Sequence, residues 1–164
     1  MADRRAHDLA DLIADAAVRC GVSVGVAESL TGGAVAATLG AAGDASTWFR
    51  GGVVAYASEV KFDLLGVPEG PVVTTAAALA MARGASKVLG ADVVVAVSGA
   101  GGPEPQDGRE PGTVCFGVVH PGGEGSEEMS FPGGPEDVVR SATEHALASV
   151  LRVLASADQG VATD

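Results

Sequence analysis

The sequence predicts an α/β protein, a three-layer α/β/α sandwich on a mixed, mostly parallel sheet. Short apolar runs alternate with amphipathic segments of helical period along the chain. Asp92 to Ser98 is a continuous apolar run of the kind that helices cover on both faces. Composition agrees: of 164 residues, 47% are hydrophobic, 19% charged and only 4% aromatic, so the core is aliphatic and suits closely packed layers. This length and apolar content predict one domain over residues 1–164, with a core of about 5–155 and a flexible tail over 156–164.

Leu9, Leu12, Ile13, Ala16 and Cys20 recur at helical spacing and predict a first helix over 4–20, stopped by Gly21. A strand at 22–27 follows. A helix from Gly32 to Leu39 breaks at Gly40 to Gly43, and Gly51 to Ala57 forms a second strand. Ser58 caps a short helix through Leu65, with Gly66 and Pro68 as its stop. Thr74 or Thr75 opens an alanine-rich helix to Leu89, with Gly90 just past its end. Gly99 to Gly112 is a loop rich in glycine, proline and acids. Thr113 to Val119 and Glu127 to Phe131 form an antiparallel hairpin across His120-Pro121-Gly122-Gly123. Pro135 suits the first position of a last helix, with Glu136 and Asp137 in its first turn and Val139, Ala142, Ala146, Val150 and Leu154 on one face.

A net charge of −11 with no cluster of basic residues excludes a nucleic-acid groove, because phosphate contacts need a basic stripe. No apolar run reaches the length of a membrane span and no apolar signal region follows the charged N-terminus, which predicts a cytoplasmic protein without membrane partners. Cys20 and Cys115 lie far apart and predict buried free thiols. His7, His120 and His145 show no ligand spacing, so solvated or capping roles are expected and neither a metal nor a cofactor is implied.

Chemistry concentrates in Val24 to Gly33, where an apolar strand runs into a small polar turn that opens a helix and leaves Ser29 at the junction. Free N–H groups at a helix start can hold a phosphate or an oxyanion beside such a hydroxyl, and Gly32 and Gly33 let a ligand approach closely. Ser and Thr at a helix start are also common simply as caps. Neither a G-x-x-x-x-G-K-S/T loop nor a G-x-S-x-G elbow is present. Ser98 to Pro103 follows the most buried strand, where open α/β sheets place ligands, and either cradles a phosphate or ribose or is a plain surface loop. Glu104 stands where a dinucleotide fingerprint would need glycine. Tyr56 is the single tyrosine, and Lys61 is one of two lysines beside eight arginines. A lysine whose pKa is lowered by burial can act as a base, as arginine cannot, and a tyrosine can relay the proton. The plainer alternative is a solvated Lys61 and a Tyr56 in the core.

The segments Ala27-Glu28-Ser29-Leu30-Thr31-Gly32-Gly33, Phe49 to Lys61, Leu65-Gly66-Val67, Ser98 to Pro103 and Gly112-Thr113-Val114 together resemble, in order and spacing, the CinA C-terminal family. The resemblance implies a CinA C-terminal-like fold and homo-oligomers, with a dimer favoured. It also implies a nicotinamide-nucleotide amidohydrolase, which hydrolyses the carboxamide of nicotinamide mononucleotide to nicotinate mononucleotide and ammonia in pyridine nucleotide recycling without metal or cofactor. By that resemblance Ser29 is the nucleophile, and Lys61 with Tyr56 moves the protons. Substrate binding falls to Glu28, Thr31, Gly32, Gly33, Ser98, Gly99, Gly102, Gly112 and Thr113, the partner being a small-molecule nucleotide. The chain departs from the family pattern at Leu30, where Cys is frequent, and at Gly101, where alanine is usual. Arg109-Glu110-Pro111-Gly112-Thr113 replaces Lys-Pro-Val-Gly-Thr, and Gly134-Pro135 replaces a common Asp-Arg. Losing that arginine removes a bidentate phosphate ligand. The alternative these departures leave is a nucleotide-binding or regulatory module without chemistry, in a family linked to competence and DNA damage.

Overall fold

A computed structural model describes residues 2–161 and the side chains of residues 4–160. The elements are α1 (Ala2–Cys20), β1 (Val24–Glu28), α2 (Ala34–Gly40), α3 (Ala45–Trp48), β2 (Phe49–Val54), α4 (Ser58–Leu65), α5 (Thr75–Leu89), β3 (Val93–Gly99), β4 (Thr113–His120), β5 (Gly123–Ser130) and α6 (Pro135–Val161). The sheet runs β2-β1-β3-β4-β5. Strand β1 pairs in parallel with β2 and with β3, whereas β3–β4 and β4–β5 are antiparallel. The sheet is therefore mixed but not mostly parallel, because the hairpin strands carry the longer ladders.

Helices cover both faces. On one, α1, α2, α3 and α6 enclose Ile13, Leu39, Trp48 and Leu147 against Val24, Val26, Val95, Val97 and Phe116. On the other, α4 and α5 set Leu65, Met81, Ala82 and Ala85 on Ala27, Val94 and Ala96. The alanines let α5 lie almost on the sheet: a Cβ on Gly117 of β4 would meet the Ala78 carbonyl at 2.5 Å. Burial of these aliphatic side chains, at roughly 25 cal/mol per Å² removed from water, holds the layers together.

Several element boundaries differ from those expected. Helix α2 begins at Ala34 rather than Gly32, since Gly32 and Gly33 take φ of 60° and 107°. Strand β2 starts at Phe49, drawn in by pairing with β1 across an irregularity between Val24 and Gly25. The short α3 fills the stretch before it. Ser58 is not a cap: Ala57, still extended from the strand, is the N-cap of α4 and makes no side-chain cap bond. Thr74 does cap α5, accepting from the Ala77 N–H. Strand β5 begins at Gly123, as ladder pairing to β4 carries through residues with no apolar pattern. Residues 156–161, expected to be part of a flexible tail, continue α6, and 162–164 lie outside the described residues. Cys115 is a buried free thiol and Cys20 a half-buried one. His145 is neither solvated nor a cap: it packs on Phe116 with centroids 4.5 Å apart and meets Glu127 at 2.7 Å. Among the described residues no helix is long and apolar enough to cross a membrane.

Candidate active site

The carboxyl ends of the three parallel strands converge. Glu28 is level with Val54, the Ala55 N–H donates to the Glu28 carbonyl at 2.8 Å, and Ala27 pairs with Ala96 on the other side. One residue beyond these bonds, Ser29 leaves β1 and Tyr56 leaves β2. Ser29, Leu30 and Tyr56 line a cleft of about 420 Å³ together with Gly99, the 101–106 segment, and Pro135 and Val139 at the start of α6. Ser29 is 7% exposed, and Tyr56, which the plainer alternative put in the core, is 71% exposed.

Lys61 is the reverse case. Expected on the plainer alternative to be solvated, it is fully buried in α4. Its Nζ donates to the Tyr56 carbonyl at 3.3 Å. Burial pushes its pKa below the usual lysine range, against the opposing pull of the Asp107 and Glu59 carboxylates. The ammonium form is thus poorly compensated.

Other residues expected to touch substrate have structural duties here. The buried Glu28 carboxylate accepts from the N–H groups of Gly33 (3.3 Å), Val35 (3.0 Å) and Ala36 (3.0 Å), so it caps α2 from the preceding strand. The Gly32 N–H donates to the Ser29 carbonyl. These bonds occupy most of the donors expected to hold an oxyanion or phosphate. Thr31 is buried, does not line the cleft, and its Oγ1 has no hydrogen-bond partner among the described residues. Ser98 donates to the Val72 carbonyl at 2.6 Å and is 1% exposed. Gly112 and Thr113 are buried and do not line the cleft. Gly112 has φ of 93° and would place a Cβ 2.2 Å from the Phe131 carbonyl, so a side chain is excluded there. Gly99 and Gly102 do line the cleft, but among the described residues no arginine or lysine does, and Glu104 brings a negative charge.

The segment from Gly99 to Gly112, expected to be loop, contains a tight turn. Gln106 and Arg109 exchange backbone hydrogen bonds of 3.2 and 2.8 Å around Asp107 and Gly108, whose φ values are 53° and 71°. Two positive φ values in a two-residue connection make a type I′ turn, and the Asp-Gly dipeptide is its signal. Asp107 Oδ2 accepts from the N–H groups of Val72 (2.8 Å) and Val73 (3.3 Å), and Arg109 pairs with Glu128 on β5. A larger hollow of about 460 Å³ lies at the opposite end of the sheet, among Val22, Val93, Pro121 and Leu154, where the Cys20 thiol is bonded to the Leu154 carbonyl. Among the described residues no group of three or more His, Cys, Asp or Glu is placed to hold a metal ion.

Comparison with known proteins agrees with this architecture. The chain is 39% identical over 143 residues to a CinA-like protein of Frankia casuarinae, covering 84% of this chain and 33% of that protein. It is 38% identical to a CinA-like protein of Mycolicibacterium vanbaalenii, covering 82% and 33%. The chain spans about a third of the length of these curated relatives. A CinA superfamily protein from Klebsiella pneumoniae superposes with a TM-score of 0.87 at 34% identity, covering 92% of this chain and 98% of that one. Its counterpart from Escherichia coli gives 0.87 at 32%, covering 90% of each. The family model for the CinA C-terminal domain matches residues 6–154, and the chain belongs to that family.

Proposed function

We propose that the chain is a nicotinamide-nucleotide amidohydrolase in which Ser29 is the nucleophile. The observation that carries this is the arrangement around Tyr56: its side chain shares a cleft with Ser29, and its carbonyl holds the amine of the buried, poorly compensated Lys61. A lysine made less basic by burial is suited to accept a hydroxyl proton near neutral pH.

In the first step Ser29 Oγ bonds to the carboxamide carbon while its proton passes through a bridging water to the neutral Lys61 amine, which sits behind the Tyr56 carbonyl rather than in the cleft lining. The C–N bond then breaks and the nitrogen leaves with that proton as ammonia. Water attacks the acyl-serine, releasing the carboxylate and restoring the hydroxyl. Of the donors expected for the oxyanion, the Gly32 N–H is taken by the Ser29 carbonyl and the Gly33 N–H by Glu28, so the oxyanion falls to a backbone donor of the Ser29–Leu30 segment that lines the cleft. One such donor is typically worth on the order of 10²–10³ in rate. The glycine and proline residues of the 101–106 segment, which line the cleft, are assigned to the ribose and ring, and the phosphate to backbone donors.

The test is ammonia release from nicotinamide mononucleotide, nicotinamide riboside and free nicotinamide, with and without EDTA, with Ser29→Ala as control. The expected result is EDTA-resistant release that needs the ribose and disappears in the variant. With no cationic side chain lining the cleft, the riboside should stay within about tenfold of the nucleotide, since a charge-assisted bond to phosphate typically contributes about 1.5–3 kcal/mol. Tight nucleotide binding with no product would replace this proposal with a binding module.

A further inference from the structure

The Asp107-Gly108 turn stands outside the Ser29, Tyr56 and Lys61 trio, yet it runs from the cleft to the residues that pack beside the buried lysine's helix. Gln106, its first residue, lines the cleft, and the Asp107 carboxylate is fixed by the two N–H groups of Val72 and Val73. Val72 and Val73 pack with Phe62, the residue after Lys61. Helix α5 packs on α4 but adds no charged group to those acting on Lys61, which among the described residues are Asp107 from the loop and Glu59 from its own helix.

We propose that Asp107 is a positioning residue of this site: it latches the glycine-rich loop onto residues 72–73 and supplies the fixed negative charge that keeps Lys61 a competent proton acceptor. Burial alone works against the ammonium, and a base that loses too much basicity takes a serine proton poorly. A carboxylate held by two backbone donors keeps its position without side-chain freedom, and the left-handed backbone at Asp107 is one that Asp and Asn tolerate. The proposal rests on Lys61 acting as the base, and it can be tested without substrate.

Because the chain has two lysines, protein labelled with ¹³C at the lysine ε-carbon gives two titrating signals, which Lys87→Arg assigns. Asp107→Asn keeps an acceptor for the N–H groups of Val72 and Val73 and removes the charge. The expected result is a Lys61 midpoint moved to lower pH with Lys87 unmoved, and an acid limb of kcat/KM moved the same way. Asp107→Ala should in addition speed amide exchange at Val72 and Val73 by about tenfold, the loss of roughly one hydrogen bond. An unmoved Lys61 midpoint in Asp107→Asn, with both amides still protected, would overturn the proposal. Should Asn release the latch, Asp107→Ser, which also keeps an acceptor at that position, reads the same shift under the same criterion. Undiminished turnover in Lys61→Met would instead remove the base assignment, while the titration still decides whether Asp107 acts on the amine.

Discussion

At the start of α2 a buried carboxylate meets three backbone N–H groups, whereas within α4 a buried ammonium meets one carbonyl. Glu28 and Lys61 are both fully inaccessible, and both belong to the set of residues the family resemblance singles out. Their environments separate them. Three charge-assisted bonds to helix donors make Glu28 a fastener between β1 and α2, a duty that leaves it little to offer a ligand. Lys61, with one acceptor among the described residues, is held below the usual lysine range by burial against the pull of Asp107 and Glu59, which suits a base. Burial of a charge therefore identifies function only when its compensation is incomplete.

Glu28 and Lys61 should respond differently to substitution. The largest expected effect is on turnover: Lys61→Met should lower ammonia release by about 10³-fold or more while chemical denaturation shows stability unchanged or raised, because the methionine fills the space without a buried charge. Next comes Glu28→Gln, which sets an amide N–H₂ against backbone donors. Its unfolding free energy should fall by about 2–3 kcal/mol in urea titrations, and a smaller loss than that of an ordinary surface change would deny Glu28 its fastening role.

A third effect separates the two by pH. Lys61 has a folded pKa below its unfolded one, so between those values the unfolded chain binds the extra proton and stability rises with pH. The stability advantage of Lys61→Met over the parent should narrow as pH climbs through that window toward the usual lysine value, and a gap independent of pH would show that the amine is not penalised by burial. The smallest effect concerns a third buried group. Burial, with Glu128 nearby, pushes the Cys115 thiol up to about 11, so it should resist alkylation at pH 8 in the folded protein and react only on unfolding.

Local pattern made much of the fold legible. The amphipathic period of α1, the Thr74 cap of α5, the continuous apolar run of β3 and Pro135 at the head of α6 each sit where chain chemistry places them. The strands β2 and β5 were displaced because pairing partners, rather than their own side chains, decide where a ladder begins. The Asp107 turn was legible in principle, since Asp-Gly is a strong hairpin signal, but proline-rich flanks without alternating apolar residues masked it.

The sequence by itself determined the alternation of helices and strands, the aliphatic core, and a family resemblance strong enough to point at Ser29, Tyr56 and Lys61. Only the tertiary structure decided which side chains share space. It put Tyr56 in solvent and Lys61 inside, and it gave Glu28 and Ser98 to backbone partners rather than to the cleft. It also brought Asp107 to Val72, 35 positions away. Burial and long-range hydrogen bonding are properties of neighbours, and neighbours are set by packing across the sheet, which no local stretch of chain encodes alone.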